Sequence, residues 1–169
     1  MSVVFVSCAR QNTLVTLKYH FHNDTEHIIE IKNYYGNGQI DYYKINPNEY
    51  LFLEKYTIFA ESPKSKPDNL IDYVMFDLIE PFILVNDKGF VEVIFDGEHT
   101  SYHFLKRFNF ELPEWYEDGK YYVSTDARSL ANKDAYTFEL RKRKKRKSDF
   151  RYDAYYRFTE ADYLEAVND

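Results

Sequence analysis

From Asn12 the chain alternates strictly, with Leu14, Thr16, Lys18 and His20 on one side and Val15, Leu17, Tyr19 and Phe21 on the other. A repeat of two belongs to a strand with one face buried, because on a helix the same residues would scatter around the axis. The pattern recurs along the chain and is carried by rings: 17 Tyr and 14 Phe bring the aromatic share to 19%. Aromatic side chains suit a pleated, half-buried surface, so this composition selects strands over a helical bundle. An all-β fold is expected.

Turn signals divide the chain into short runs. Asn23-Asp24-Thr25 separates the first strand from one at 29–35, Gly36-Asn37-Gly38 joins that to 40–45, and Asn46-Pro47-Asn48-Glu49 leads into an aromatic strand at 50–60. Residues 61–68, with Pro63 and Pro67, read as a surface loop. Beyond it Val74, Phe76 and Leu78 alternate, residues 90–95 form a strand closed by Asp96-Gly97, and a less regular segment opens at Tyr102 and Phe104. A short strand at 120–123 is followed, over 126–134, by one helical turn or an irregular crossover. Tyr136, Phe138 and Leu140 share a face in a strand expected to pair with 150–158. Thr159 followed by Asp162 is a variant capping box, which places a short helix at 160–167. Eight or nine short strands at near-regular spacing favour an antiparallel β-sandwich over a barrel. The length of 169 residues fits one domain, taken as 12–169 behind an N-terminal segment 1–11.

Charge narrows the partners. The formal net charge is −6, yet Arg141, Lys142, Arg143, Lys144, Lys145, Arg146 and Lys147 form one basic tract, without which 15 basic residues face 28 acidic ones. So acidic a body is a poor general partner for nucleic-acid phosphates, and no nucleic acid is expected. The tract reads as the tip of a long hairpin, either solvated or touching anionic headgroups or acidic glycans. A single cysteine excludes an internal disulfide and a cysteine zinc site. No apolar run approaches the roughly 18 residues that cross a bilayer as a helix.

That cysteine, Cys8, follows a small residue and the apolar run Val3-Val4-Phe5-Val6, as at the tail of a bacterial lipoprotein signal. No Lys or Arg precedes the run, and it is shorter than the roughly 7–15 residues of a signal core. Two readings follow: an upstream start with acylation of Cys8, or a native start at Met1 with Cys8 a free thiol in the cytoplasm. With Cys8 come Phe21-His22-Asn23-Asp24-Thr25, Pro47-Asn48-Glu49 and a closing Tyr156-x-Phe158-Thr159-Glu160-Ala161-Asp162-Tyr163-x-x-Ala166. In this order of features the chain resembles the small cell-envelope lipoproteins of Bacteroidetes whose mature part is an immunoglobulin-like β-sandwich. The resemblance implies that fold and an envelope location at the outer membrane, on its periplasmic or surface face. It carries over no functional residues.

Few residues point to chemistry. His20 and His22 leave one face of a strand at a spacing that can ligate zinc or copper, with His27, His99 or Glu26 as a third ligand, or they are solvent-facing. His103, between Tyr102 and Phe104, is expected at an edge or loop. Carboxylates such as Asp72, Asp77, Glu80, Glu92, Asp96 and Glu98 alternate with apolar residues as solvated faces do, which argues against a glycosidase pair. No serine-nucleophile motif and no phosphate loop is present. The adjacent pairs Tyr34-Tyr35, Tyr42-Tyr43, Tyr121-Tyr122 and Tyr155-Tyr156 are more informative. In a strand the two members point to opposite faces, so some rings lie outside, placed to stack on a glycan, a peptide or an envelope protein. The sequence thus favours a binding or structural module without cofactor or catalysis. Its alternatives are a metal-binding or hydrolytic envelope protein using His20 and His22, and a cytoplasmic β protein.

Overall fold

In the computed structural model, which describes residues 13–35, 38–59, 90–104, 119–142 and 149–168, the alternation is realised as nine strands among those residues. They are β1 (Thr13–Asp24), β2 (Ile29–Tyr34), β3 (Ile40–Ile45), β4 (Tyr50–Phe59), β5 (Phe90–Phe95), β6 (His99–Phe104), β7 (Lys120–Val123), β8 (Thr137–Lys142) and β9 (Asp149–Thr159). One helix, α1 (Glu160–Val167), follows β9, and a 3-10 turn at Lys133–Ala135 precedes β8. The protein is mostly β with a short C-terminal helix. The N-terminal segment with Cys8, the 61–68 loop, and Val74, Phe76 and Leu78 lie outside the described residues.

The strands form a four-stranded sheet, ordered β4-β1-β9-β8, and a five-stranded sheet, ordered β3-β2-β5-β6-β7. Both sheets are mixed, which corrects the antiparallel expectation: β1 runs parallel to β9, and β6 parallel to β7. Hairpin neighbours must be antiparallel, and β2–β3, β5–β6 and β8–β9 are. β1 and β9 lie far apart in the chain, so no hairpin sets their direction, and period-two alternation is identical in either direction.

One core cluster draws on both sheets. Leu17, Tyr19 and Phe21 of β1 and Tyr152, Ala154, Tyr156 and Phe158 of β9 meet Ile29 and Ile31 of β2 and Val91, Val93 and Phe95 of β5. Burying side chains of this size contributes roughly 1.5–3 kcal/mol each, the main favourable term of the fold. The crossover before β8 is pinned to this core by two hydroxyls: Tyr136 donates to the Leu130 carbonyl (2.8 Å) and Tyr156 to the Arg128 carbonyl (2.9 Å). Before β7, a side chain at Gly119 would meet the Thr100 carbonyl at 2.8 Å, so only glycine allows β7 to approach β6 there.

The three motifs that carry the family resemblance meet at one end of the molecule. The fully buried Asn23 donates through Nδ2 to the carbonyls of His27 (2.7 Å) and Ile45 (3.2 Å), and its Oδ1 accepts from the Thr25 N–H (3.1 Å) and hydroxyl (2.7 Å). Its backbone joins the Pro47-Asn48-Glu49 turn: Asn23 N–H donates to Glu49 O (3.0 Å), and Asn48 N–H to Asn23 O (2.8 Å). Asn48 has φ of 62°, a left-handed conformation that Asn tolerates better than most residues. The closing motif arrives through α1: Thr159 N–H donates to Asp162 Oδ2 (2.7 Å), and Glu160 Oε1 accepts from Glu26 N–H (3.0 Å).

Asn23→Ala removes every one of those side-chain bonds and leaves buried groups without partners. We expect a loss of about 2–4 kcal/mol in urea unfolding, and a change below about 0.5 kcal/mol would show that the corner is held by its backbone alone.

Candidate functional site

The face of the four-stranded sheet turned away from the core gathers the most chemistry. Because β1 is paired on both sides, its outward residues stand in rows with those of β4, β9 and β8. One row is Tyr50, His22 and Arg157; the next is Phe52, His20, Tyr155 and Thr137; a third is Glu54, Lys18, Asp153 and Glu139. Tyr50 and Phe52 are 55% and 52% exposed, large rings left in water on an edge strand. The His22 ring stacks on Tyr50 (4.2 Å between centroids) and the His20 ring on Tyr155 (4.5 Å), with Phe52 edge-on to His20 at 5.0 Å. Lys18 Nζ lies 4.6 Å from the Phe52 ring centre, a cation–π contact. A cleft of about 400 Å³ opens between His22 and Tyr50 on one side and Thr137 and Glu139 on the other, over Arg157.

Asp153 organises the charge of this face. It is only 1% exposed, with Arg141 Nε at 2.5 Å, His20 Nε2 at 3.5 Å and Arg151 Nε at 3.6 Å. A carboxylate so shielded is tolerated only when cations surround it, and removing them would strand a buried charge. Burial lowers the His20 pKa, an effect that the neighbouring Asp153 carboxylate partly offsets. His20 is therefore a neutral ring at neutral pH. A histidine oriented by a carboxylate is half of a general-base device, but among the described residues no hydroxyl or thiol hydrogen-bonds to His20.

Ser101 and His103 form a second hydroxyl–imidazole pair, with 3.2 Å between Oγ and Nε2. The Leu130 N–H donates to His103 Nδ1 (3.1 Å), so the neutral ring carries its proton on Nε2 and donates to the serine. That is the reverse of nucleophile activation, and at 2% exposure His103 is a core residue rather than the edge or loop residue expected. Val91 pairs with it across β5–β6, so Ser101 and His103, not Tyr102 and Phe104, occupy the register of inward β5 residues.

The histidines do not form a metal centre in the way the spacing allowed. Among the described residues no three His, Cys, Asp or Glu side chains are grouped to hold a metal ion. His20 and His22 share a face but are held by rings and by Asp153 rather than facing solvent. His27 and His99 both contact Tyr163, at 3.5 and 5.8 Å between centroids. His27 Nδ1 donates to Asp96 (2.6 Å), and that bond, with the Ile28 N–H, keeps the Asp96 carboxyl below its usual range.

Each tyrosine pair splits across its strand, and the inward member is packed in or against the core. Tyr35, Tyr122 and Tyr156 are buried, and Tyr43 packs against the core. The Tyr35 and Tyr122 hydroxyls donate to Asp41 (2.6 Å) and Glu165 (2.5 Å); burial first, then those carboxylates, raises both pKa values well above normal. The outward members do not form one patch, because Tyr34, Tyr42 and Tyr121 belong to the five-stranded sheet and Tyr155 to the other. Tyr34 donates to Glu92 (3.0 Å) and stacks on Phe90, and Tyr121 stacks on Tyr102. Of the basic tract, Arg141 is committed to Asp153 and to the Tyr155 hydroxyl (3.3 Å), and Lys142 pairs in register with Phe150. Arg143, Lys144, Lys145, Arg146 and Lys147 lie outside the described residues.

Sequence reading missed Tyr50, Phe52, Asp153 and Arg157 as members of a site. The signal was the alternation itself: these residues share a parity with His20 and His22 once the strands are aligned. Compared with family models, with curated proteins and with solved structures, the chain matches none.

The buried His103 gives a pH prediction. Burial lowers its pKa to about 3, against about 6.5 in an unfolded chain. Unfolding then takes up a proton between these values, so its contribution is full above about pH 6.5 and is lost as pH falls toward 3, at up to about 1.4 kcal/mol per unit. NMR of the folded protein should show no His103 ring titration from pH 8 to 5, and His103→Gln should flatten the fall in unfolding free energy between pH 6 and 4. A ring titrating near pH 6 would overturn this assignment.

Proposed function

We propose that the chain is a non-catalytic binding module whose two sheets pack as an immunoglobulin-like sandwich, and that it binds its ligand on the outer face of the four-stranded sheet. The observation that carries this reading is the half-exposed ring of Tyr50 on an open cleft lined also by His20, His22 and Tyr155, with the half-exposed ring of Phe52 beside His20. Exposed aromatic clusters rimmed by polar groups mark interaction sites on globular proteins. The supporting negative is chemical: among the described residues, the imidazoles near an acid or a hydroxyl are held in roles that orient or pack them, and none donates and accepts in the sense that activates a nucleophile. A single core fed by both sheets supports the sandwich. The position of Cys8 after a small residue supports a lipid tether in the cell envelope of a Bacteroidetes-type bacterium.

Two measurements test the reading. Thermal-shift screening against a library of saccharides, peptides, nucleotides and lipids should find at least one class that raises Tm in the native protein and not in the Tyr50→Ala/Phe52→Ala variant. Both positions are exposed, so the variant should keep its own Tm within about 4 °C. A library with no variant-sensitive shift would remove the binding face. For the tether, peptide mass spectrometry of protein from its native host should return a mature N-terminus at Cys8 bearing a diacylglyceryl mass. An unmodified Cys8 thiol would place the module in another compartment.

A further inference from the structure

We propose that the occupant of this face is a neutral saccharide chain. The inference rests on the binding-face reading above and names its ligand class. Three features of the face select it.

The first is charge. Among the described side chains, the outer face holds Lys18, Arg141, Arg151 and Arg157, and against them Glu54, Glu139, Asp153 and, at the rim, Asp24. Arg141 and Arg151 turn to Asp153, and Arg157 Nη1 lies 3.1 Å from Asp24. Cations and carboxylates are thus equal in number, and the three arginines each face a carboxylate, so a polyanion would meet as much repulsion as attraction. The second is backbone. β1 and β9, which bear His20, His22, Tyr155 and Arg157, are each paired on both sides, so no strand can be added at the centre of the face, and main-chain pairing with a peptide is open only at the edge strands β4 and β8.

The third is the mixture of rings with hydrogen-bonding groups of both senses. A pyranose ring presents apolar C–H faces and a rim of hydroxyls that donate and accept. Tyr50 and Phe52 offer nearly parallel rings, 4° apart with centroids at 6.0 Å, for the faces. Glu139 accepts, Arg157 donates, and the Tyr155 hydroxyl does both, accepting from Arg141 and donating to Glu139 (each 3.3 Å). A lipid tail would leave all of these polar groups unpaired.

The test is NMR titration of the full chain with maltohexaose, cellohexaose and xylohexaose, and with trigalacturonate as an acidic comparison. The expected result is binding of at least one neutral hexasaccharide with shifts concentrated at residues 18–22, 50–54 and 153–157. Tyr50→Ala or Phe52→Ala should weaken it by about tenfold or more, while Ile40→Ala, an exposed residue of the other sheet, leaves it unchanged. Binding of trigalacturonate alone, or shifts confined to the five-stranded sheet, would overturn the proposal. If no saccharide binds but a ligand of another class gives a variant-sensitive thermal shift, the face stands as a binding site and the saccharide assignment falls. If neither occurs, both fall.

Discussion

The parallel pairing of β1 with β9 is the constraint on which the rest of the structure depends. It runs in unbroken register from Leu14 with Asp149 to Asp24 with Thr159, joining the first and last described strands of the chain. Its parity sorts side chains once for both strands. Leu17, Tyr19 and Phe21 go inward beside Tyr152, Ala154 and Tyr156, while Lys18, His20 and His22 go outward beside Asp153, Tyr155 and Arg157. A one-residue slip of β9 would put Asp153 and Arg157 in the core and Tyr152 and Tyr156 in water, so the register is strongly specified. A pairing between such distant segments closes a long loop, and its entropy is recovered only when the core side chains of both strands are in place.

The same register delivers the end of the chain to the corner built by Asn23. Because Thr159 lies beside Asp24, α1 begins next to the turn at residues 25–28, where Glu160 meets the Glu26 N–H and His27. Arg128, from the crossover, closes the other side, donating to Asp162 (2.8 Å) and Thr159 (3.3 Å). The helix is eight residues long, too short to persist in water by itself. It is held by its cap, by Arg128 and by Tyr163 packed against Phe95 and His27.

What could be read from the sequence follows from what a local pattern encodes. The β2–β3 and β8–β9 pairings have their turns or tract between them, and α1 has its capping box within four residues, so their boundaries were legible. The direction of β1 against β9 was not, since alternation says which face a residue takes and nothing about which strand lies beside it. His103 was misplaced for a related reason. Tyr102 and Phe104 are the apolar residues of β6, yet Val91 and Val93 across the ladder set the inward register, which Ser101 and His103 share. A buried imidazole there is affordable because Leu130 N–H and Ser101 Oγ saturate both ring nitrogens. The tyrosine pairs were read correctly as split across their strands, but which member faces out depends on the same unseen register.

The candidate face shows how a polar group can be buried on the outside of a sheet. Among the described residues Asp153 is covered by its own neighbours: Arg141 from β8, Arg151 from β9 itself and His20 from β1. Those side chains are held by their own contacts, His20 between Phe52 and Tyr155 and Arg141 against the Tyr155 hydroxyl. Each group restricts the next, and contacts of this kind lower the side-chain entropy a bound ligand would cost. On a sheet whose only requirement was solubility, such rows would be short polar or flexible charged residues. Ring side chains standing in water beside charges that face one another suit the uncharged, ring-bearing ligand proposed above.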